Sequence, residues 1–203
     1  MTETTLEDGW TVAFLAVGEG VPIVLVFGSA AALRSAATIA GDAAGGRRVV
    51  LVDVADLASD PGDTTVATER FLALLASLEI REATLVGHTV GCAVAVRAAA
   101  IAPGGVISRL ALISSPIALP AAPDAPVAAD YATDLRRVSI PTLVLHSEID
   151  PMSPLNDTAL GAVMASPHAQ LRVYPGAREA LSAEQRESVI RDLLDFADTA
   201  APL

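Results

Sequence analysis

The chain has 203 residues, 52% of them apolar but only 3% aromatic, and a formal charge of −11 at pH 7. That length suits one domain over residues 1–203 with a core of its own, which Val, Leu, Ile and Ala must fill in the near absence of aromatic rings. The acidic surface excludes nucleic acid and anionic membranes as partners, because phosphates demand a basic face.

The opening residues, Met1-Thr2-Glu3-Thr4-Thr5-Leu6-Glu7-Asp8, are acidic and lack the basic-then-apolar order of a secretory leader. No run of 18 apolar residues is free of charge, so no membrane-spanning helix is expected. A cytoplasmic setting is the expectation. One cysteine, Cys92, excludes an internal disulfide and a cysteine-built metal site.

In chain order, Thr11–Val17 and Pro22–Phe27 read as strands joined through Gly18-Glu19-Gly20, which predicts a hairpin at one edge. Ile23-Val24-Leu25-Val26 is apolar throughout, as in a strand covered on both faces. A helix over Ala30–Ala40 and a strand over Arg48–Val54 follow. The turn Asp60-Pro61-Gly62 precedes a helix over Thr64–Leu78 that Asp63 or Thr64 can cap. Next come a strand over Ala83–Gly87, a helix over Val90–Ala102 and a strand over Ser108–Ser114. Residues 116–133 hold Pro116, Pro120, Pro123 and Pro126 among alanines with no apolar period, and read as an extended loop. A strand over Ile140–His146, a helix over Leu155–Met164 and a strand over Gln170–Tyr174 complete the alternation. Ser182-Ala183-Glu184-Gln185 reads as a capping box for a last helix over Ala183–Ala197. The expected fold class is α/β, a mostly parallel sheet of about seven strands with helices on both faces.

The densest signal is Leu85-Val86-Gly87-His88-Thr89-Val90-Gly91, where a buried strand meets a helix at once. Gly-x-Thr-x-Gly in that setting has the layout of a nucleophile elbow, whose sharp turn lifts one side chain above the sheet. Its glycines let strand and helix backbones approach closely. The apex residue is Thr89 where serine is usual.

Together with this element order, the elbow makes the chain resemble the α/β-hydrolase superfamily over roughly residues 8–198. Pro22-Ile23-Val24-Leu25-Val26-Phe27-Gly28 is similar to the early strand ending in a His-Gly turn, with Phe27 in the histidine's place. Pro141 to Pro151 is similar to the strand that delivers the triad acid, Asp150. Tyr174-Pro175-Gly176-Ala177 leads into Arg178 and Glu179 where a Gly-His pair is usual. The resemblance therefore implies a degenerate triad of Thr89, Asp150 and Glu179. It implies an oxyanion hole from the backbone N–H groups of Ser29 and Val90, a pocket shared by Gly28, His88 and Arg178, and no cap domain beyond loop 116–133.

The chemistry of that triad is altered. An elbow residue with positive φ suits a β-branched threonine poorly, and a carboxylate is a much weaker base than the imidazole it replaces. Asp150 and Glu179 face to face would share a proton more readily than carry two charges. His146, His168 and His88 read as structural or surface histidines, and Cys92 as a small buried side chain. Asp53 and Asp56 read as turn residues. Gly18-Glu19-Gly20 leads into a strand, so it is no dinucleotide fingerprint; neither cofactor nor metal is expected.

The expected function is a non-hydrolytic homologue binding a small, mainly apolar ligand or metabolite, a protein partner or a second copy of itself. The alternatives are a cyclase, lyase or isomerase using Asp150 and Glu179, and a weak esterase or thioesterase.

Overall fold

A computed structural model of the chain describes residues 1–60, 63–115, 131–151, 153–156, 158–176 and 185–199. Eight strands form one sheet: β1 (Thr2–Thr5), β2 (Thr11–Val17), β3 (Val21–Phe27), β4 (Arg47–Asp53), β5 (Ala83–His88), β6 (Ile107–Ile113), β7 (Thr142–Ser147) and β8 (Ala169–Tyr174). Their spatial order is β1-β2-β4-β3-β5-β6-β7-β8; β2 pairs antiparallel with both β1 and β4, and every other pair is parallel. The sheet thus has one strand more than the sequence suggested. β1, TETT, is mostly exposed and pairs only with β2, so no apolar run announced it.

The hairpin expected at Gly18-Glu19-Gly20 is not formed. β2 pairs with β4, because β3 is taken up between β4 and β5 in the middle of the sheet. The two glycines serve a close crossing instead: a Cβ on Gly18 would lie 2.3 Å from the Arg47 carbonyl oxygen, and one on Gly20 would lie 2.1 Å from that of Gly46.

Among the described residues there are six helices: α1 (Ala30–Ala44), α2 (Thr64–Ser77), α3 (Gly91–Ile101), α4 (Tyr131–Arg137), α5 (Ala159–Ala165) and, after the last strand, α6 (Arg186–Asp198). Asp63 caps α2 as expected, its carboxylate accepting from Val66 N at 3.0 Å. The loop expected over 116–133 ends earlier, since Tyr131 already opens α4. Residues 116–130, and the expected capping residue Ser182, lie outside the described residues. α5 begins at Ala159 and not at Leu155, which sits in a turn after Pro154.

Period-2 alternation divides the core. Val24, Val26, Leu85 and Val144 join the cluster that also holds Phe71, Val94, Leu135 and Ala162 from α2, α3, α4 and α5. Ile23, Val86, Ile113 and Leu145 face Val189 and Leu193 of α6, while Phe27 and Leu51 face Leu33 and Ala36 of α1. Burying each such aliphatic chain contributes on the order of 1.5–3 kcal/mol. A sheet sealed on both faces leaves its strand ends as the open surface.

Those ends carry the site. The connection after β3 runs through α1 to β4 on one side, whereas that after β5 runs through α3 to β6 on the other. The chain order reverses between β3 and β5, and a crevice forms outside the carboxyl ends of strands at such a switch. Gly28-Ser29 and Thr89-Val90 stand there.

Candidate functional site

Thr89 follows the last residue of β5 with φ +50°, and Val90, at φ −60° and ψ −32°, is already helical. The left-handed region is open mainly to glycine, and a β-branched residue there is strained by roughly 1–3 kcal/mol. The surroundings hold it in place. Thr89 N donates to Ile113 O at 3.0 Å, and Cys92 N donates to Thr89 O at 3.0 Å. The Thr89 hydroxyl donates to the His88 carbonyl at 2.8 Å.

The glycines of the motif are there for space. A Cβ on Gly87 would stand 2.6 Å from Cys92 Cα, and one on Gly91 would stand 2.1 Å from Val26 O. A Cβ on Gly28 would meet the Val90 side chain at 2.6 Å. The β3 turn and the elbow are therefore in contact, which brings Ser29 and Val90 to one place. Ser29 is the N-cap of α1, its hydroxyl accepting from Ala32 N at 3.2 Å. Among the described residues, neither Ser29 N–H nor Val90 N–H has an acceptor within the chain. Two uncommitted donors at two helix starts form the kind of surface that stabilises a developing oxyanion.

Asp150 follows β7 and is buried, with Oδ1 accepting from Ser153 N at 3.1 Å. Beside it, an open depression of about 820 Å³ is lined by Glu148, Ile149, Pro154, Leu155, Asn156 and Gly176. The other two residues expected near it, Arg178 and Glu179, lie outside the described residues.

The three histidines separate cleanly. His88 shares a sheet face with Val86, and its ring lies 5.6 Å from that of Phe27. Burial pushes its pKa down to about 4, against a smaller upward pull from the charge of Asp150. The imidazole is accordingly neutral at pH 7, and among the described residues its Nδ1 has no hydrogen-bond partner. His146 is fully buried on the opposite face, with Nε2 2.6 Å from Ser153 O. His168 is exposed at the amino end of β8, in a cleft of about 410 Å³ that also takes in Arg109, Arg172 and Asp192. It stands at the opposite end of the strands from the elbow.

Cys92 is buried and its thiol is pushed up to about 12 by burial, so it is no nucleophile. It donates to Ile113 O at 3.7 Å, and the neighbouring Ser115 hydroxyl bonds the Tyr131 hydroxyl. Asp53 caps a short 3₁₀ turn over Val54–Asp56 through Ala55 N at 3.0 Å, as a turn residue should. Burial and the charges of Asp53 and Glu3 raise the pKa of Asp56.

Two contributors escaped the sequence. Ser114, at the end of β6, has φ +48° and is the second strained residue at this edge. Ser153 N holds the Asp150 carboxylate, and the Asp-x-x-Ser spacing of 150 and 153 was the available sign. Among the described residues, no group of three or more His, Cys, Asp or Glu could hold a metal ion. Nor, among them, is any helix long and apolar enough to cross a membrane.

No family model matches the chain. Over 70 residues it is 34% identical to a non-heme haloperoxidase of Rhodococcus erythropolis, covering 34% of this chain and 26% of that protein. Over 67 residues it is 34% identical to a non-heme chloroperoxidase of Burkholderia pyrrocinia, covering 33% and 24%. The match spans about a quarter of the length of these curated relatives. Among solved structures, a bromoperoxidase from Bacillus anthracis superposes with a TM-score of 0.82 at 18% identity, covering 98% of this chain and all of the other. An enol-lactonase from Burkholderia xenovorans superposes with a TM-score of 0.80 at 15% identity, again over 98% and 100%.

These findings correct the functional expectation. A non-hydrolytic, pseudoenzyme-like binding protein was inferred from the altered apex and the missing histidine, yet the similar proteins are named as peroxidases and hydrolases. Changed side chains at the apex and at the histidine position do not remove the backbone donors and the strained turn on which acyl chemistry also depends.

Proposed function

From a chain that has the α/β-hydrolase fold, we propose an enzyme that hydrolyses small, mainly apolar esters with good leaving groups, using Thr89 as its nucleophile. The observation that carries this reading is the φ of +50° at Thr89. Strain at one residue persists only where the surroundings over-determine it, and such residues cluster at sites of reaction.

The steps follow from the residues. The Thr89 oxygen attacks the ester carbonyl carbon, and its proton passes to a carboxylate, for which Glu179 is the candidate. The carbonyl oxygen gathers negative charge between Ser29 N–H and Val90 N–H. The bond to the leaving oxygen or sulfur breaks, the leaving group takes the proton, and water hydrolyses the acyl-threonine by the same route.

The base sets the substrate class. A carboxylate is a much weaker base than imidazole and drives proton transfer far less well. Oxyanion stabilisation and binding alone sustain roughly 10³–10⁴-fold over water. Such a site turns over substrates whose leaving group needs little help, namely phenyl and enol esters, lactones of that kind and thioesters.

Hydrolysis of p-nitrophenyl acetate and butyrate by the parent and by Thr89→Ala tests this. The parent should exceed buffer hydrolysis, and Thr89→Ala should fall at least about tenfold. Equal rates in the two proteins contradict it.

A further inference from the structure

We propose that His146 is a positioning residue for Asp150, acting through the backbone of Ser153; the proposal rests on reading Asp150 as the acid of the site. His146 lies in β7, on the side of the sheet that carries Val144, and is wholly buried. Its Nε2 is 2.6 Å from Ser153 O. A carbonyl oxygen only accepts, so the imidazole carries its proton on Nε2 and donates. Ser153 N in turn donates to Asp150 Oδ1 at 3.1 Å. One residue is therefore gripped at its carbonyl by His146 while its N–H holds the carboxylate. Thr158 Oγ1 also reaches Ser153 O, at 3.3 Å, but lies closer to Pro154 O at 2.8 Å.

The other ring nitrogen separates this role from packing. Nδ1 of His146 is buried and, among the described residues, has no hydrogen-bond partner. An unpaired acceptor in a sealed interior destabilises the fold, and a leucine of similar volume would remove it. A leucine forfeits the Nε2–H bond in exchange, but Thr158 Oγ1 still reaches Ser153 O at 3.3 Å, so the two changes offset in stability while the grip on Ser153 is lost. Stability and activity should accordingly part company when His146 is replaced.

The test compares His146→Leu, which lacks the donor, with His146→Gln, whose amide N–H reaches a similar distance. His146→Leu should melt no lower than the parent, yet lose kcat on p-nitrophenyl acetate on the order of tenfold or more with KM little changed. His146→Gln should restore most of kcat. Hydrogen exchange at the Ser153 amide should quicken in the leucine variant and return towards the parent rate in the glutamine variant. Parent-like Ser153 exchange in His146→Leu overturns the proposal, as does a kcat that merely follows melting temperature in both variants. If the parent hydrolyses no activated ester, the esterase reading fails by itself, while Ser153 exchange still decides the role of His146. Nitrogen-15 NMR of the parent imidazole decides it even if the leucine variant does not fold. A proton on Nε2 supports the proposal, and a proton on Nδ1 overturns it.

Discussion

The ring of Phe27 packs against the imidazole of His88, their centroids 5.6 Å apart and their planes tilted by 54°. This contact joins the end of β3 to the end of β5 under the elbow and helps to keep water from the imidazole. Burial pushes its pKa from the usual 6.5 down to about 4. The unfolded chain takes up this proton near 6.5 and the folded chain only near 4, so the unfolded state binds more protons in between. Stability from this group is complete above about pH 6.5 and is lost as pH falls towards 4, with a slope of at most about 1.4 kcal/mol per pH unit. Urea unfolding at pH 7, 6 and 5 should show a shallower slope for His88→Phe than for the parent. Parallel slopes contradict the neutral assignment.

Thr89 should trade stability for reaction. Glycine accepts φ +50° without a Cβ penalty, so Thr89→Gly should raise the unfolding free energy by about 1 kcal/mol while losing ester hydrolysis. Chemical denaturation with a parallel activity assay checks both signs. A destabilised Thr89→Gly would mean that the apex conformation is not strained.

The closeness of elbow and sheet is measurable through two glycines. A methyl group at Gly91 would lie 2.1 Å from Val26 O, and backbone must move to admit it. Gly91→Ala should therefore lose roughly 2–3 kcal/mol. Gly41, in α1, has nothing within 4 Å of its added Cβ. Gly41→Ala should gain about 0.5–1 kcal/mol from helix propensity. Comparable effects of the two substitutions would contradict the packing described.

Cys92 should be silent in the folded protein. Its thiol is buried and pushed up to about 12, so almost no thiolate exists at pH 8. Ellman's reagent should find no reactive thiol in the native state and one per chain in guanidinium. Rapid native labelling would place Cys92 in a different setting.

The fold was legible where physics is local and repetitive. Strands such as Pro22–Phe27 and Ser108–Ser114 stand out as apolar runs, and seven of them emerge within two residues of their observed ends. β1 was hidden because an exposed edge strand of threonines buries nothing. α4 was hidden because its seven residues follow a proline-rich stretch and show too little period to count. The pairing of β2 with β4 was not legible either, since strand order is settled by which strand fits between two others. The tight turn was readable because Gly87 and Gly91 leave room where strand and helix backbones nearly touch. The expectation of a non-hydrolytic protein came from weighing the altered apex and the missing imidazole above the backbone geometry of the turn. The roles of Ser153 and His146 depend on a turn that folds back over seven residues, which no linear motif announces.

Rapid acid quenching during hydrolysis of p-nitrophenyl acetate, followed by peptide mass spectrometry, reads the central claim directly. The account predicts an acetyl group on the Thr89 hydroxyl that forms and decays with turnover and is missing from Thr89→Ala. Turnover with no acyl group at Thr89, and at an unchanged rate in Thr89→Ala, would contradict it.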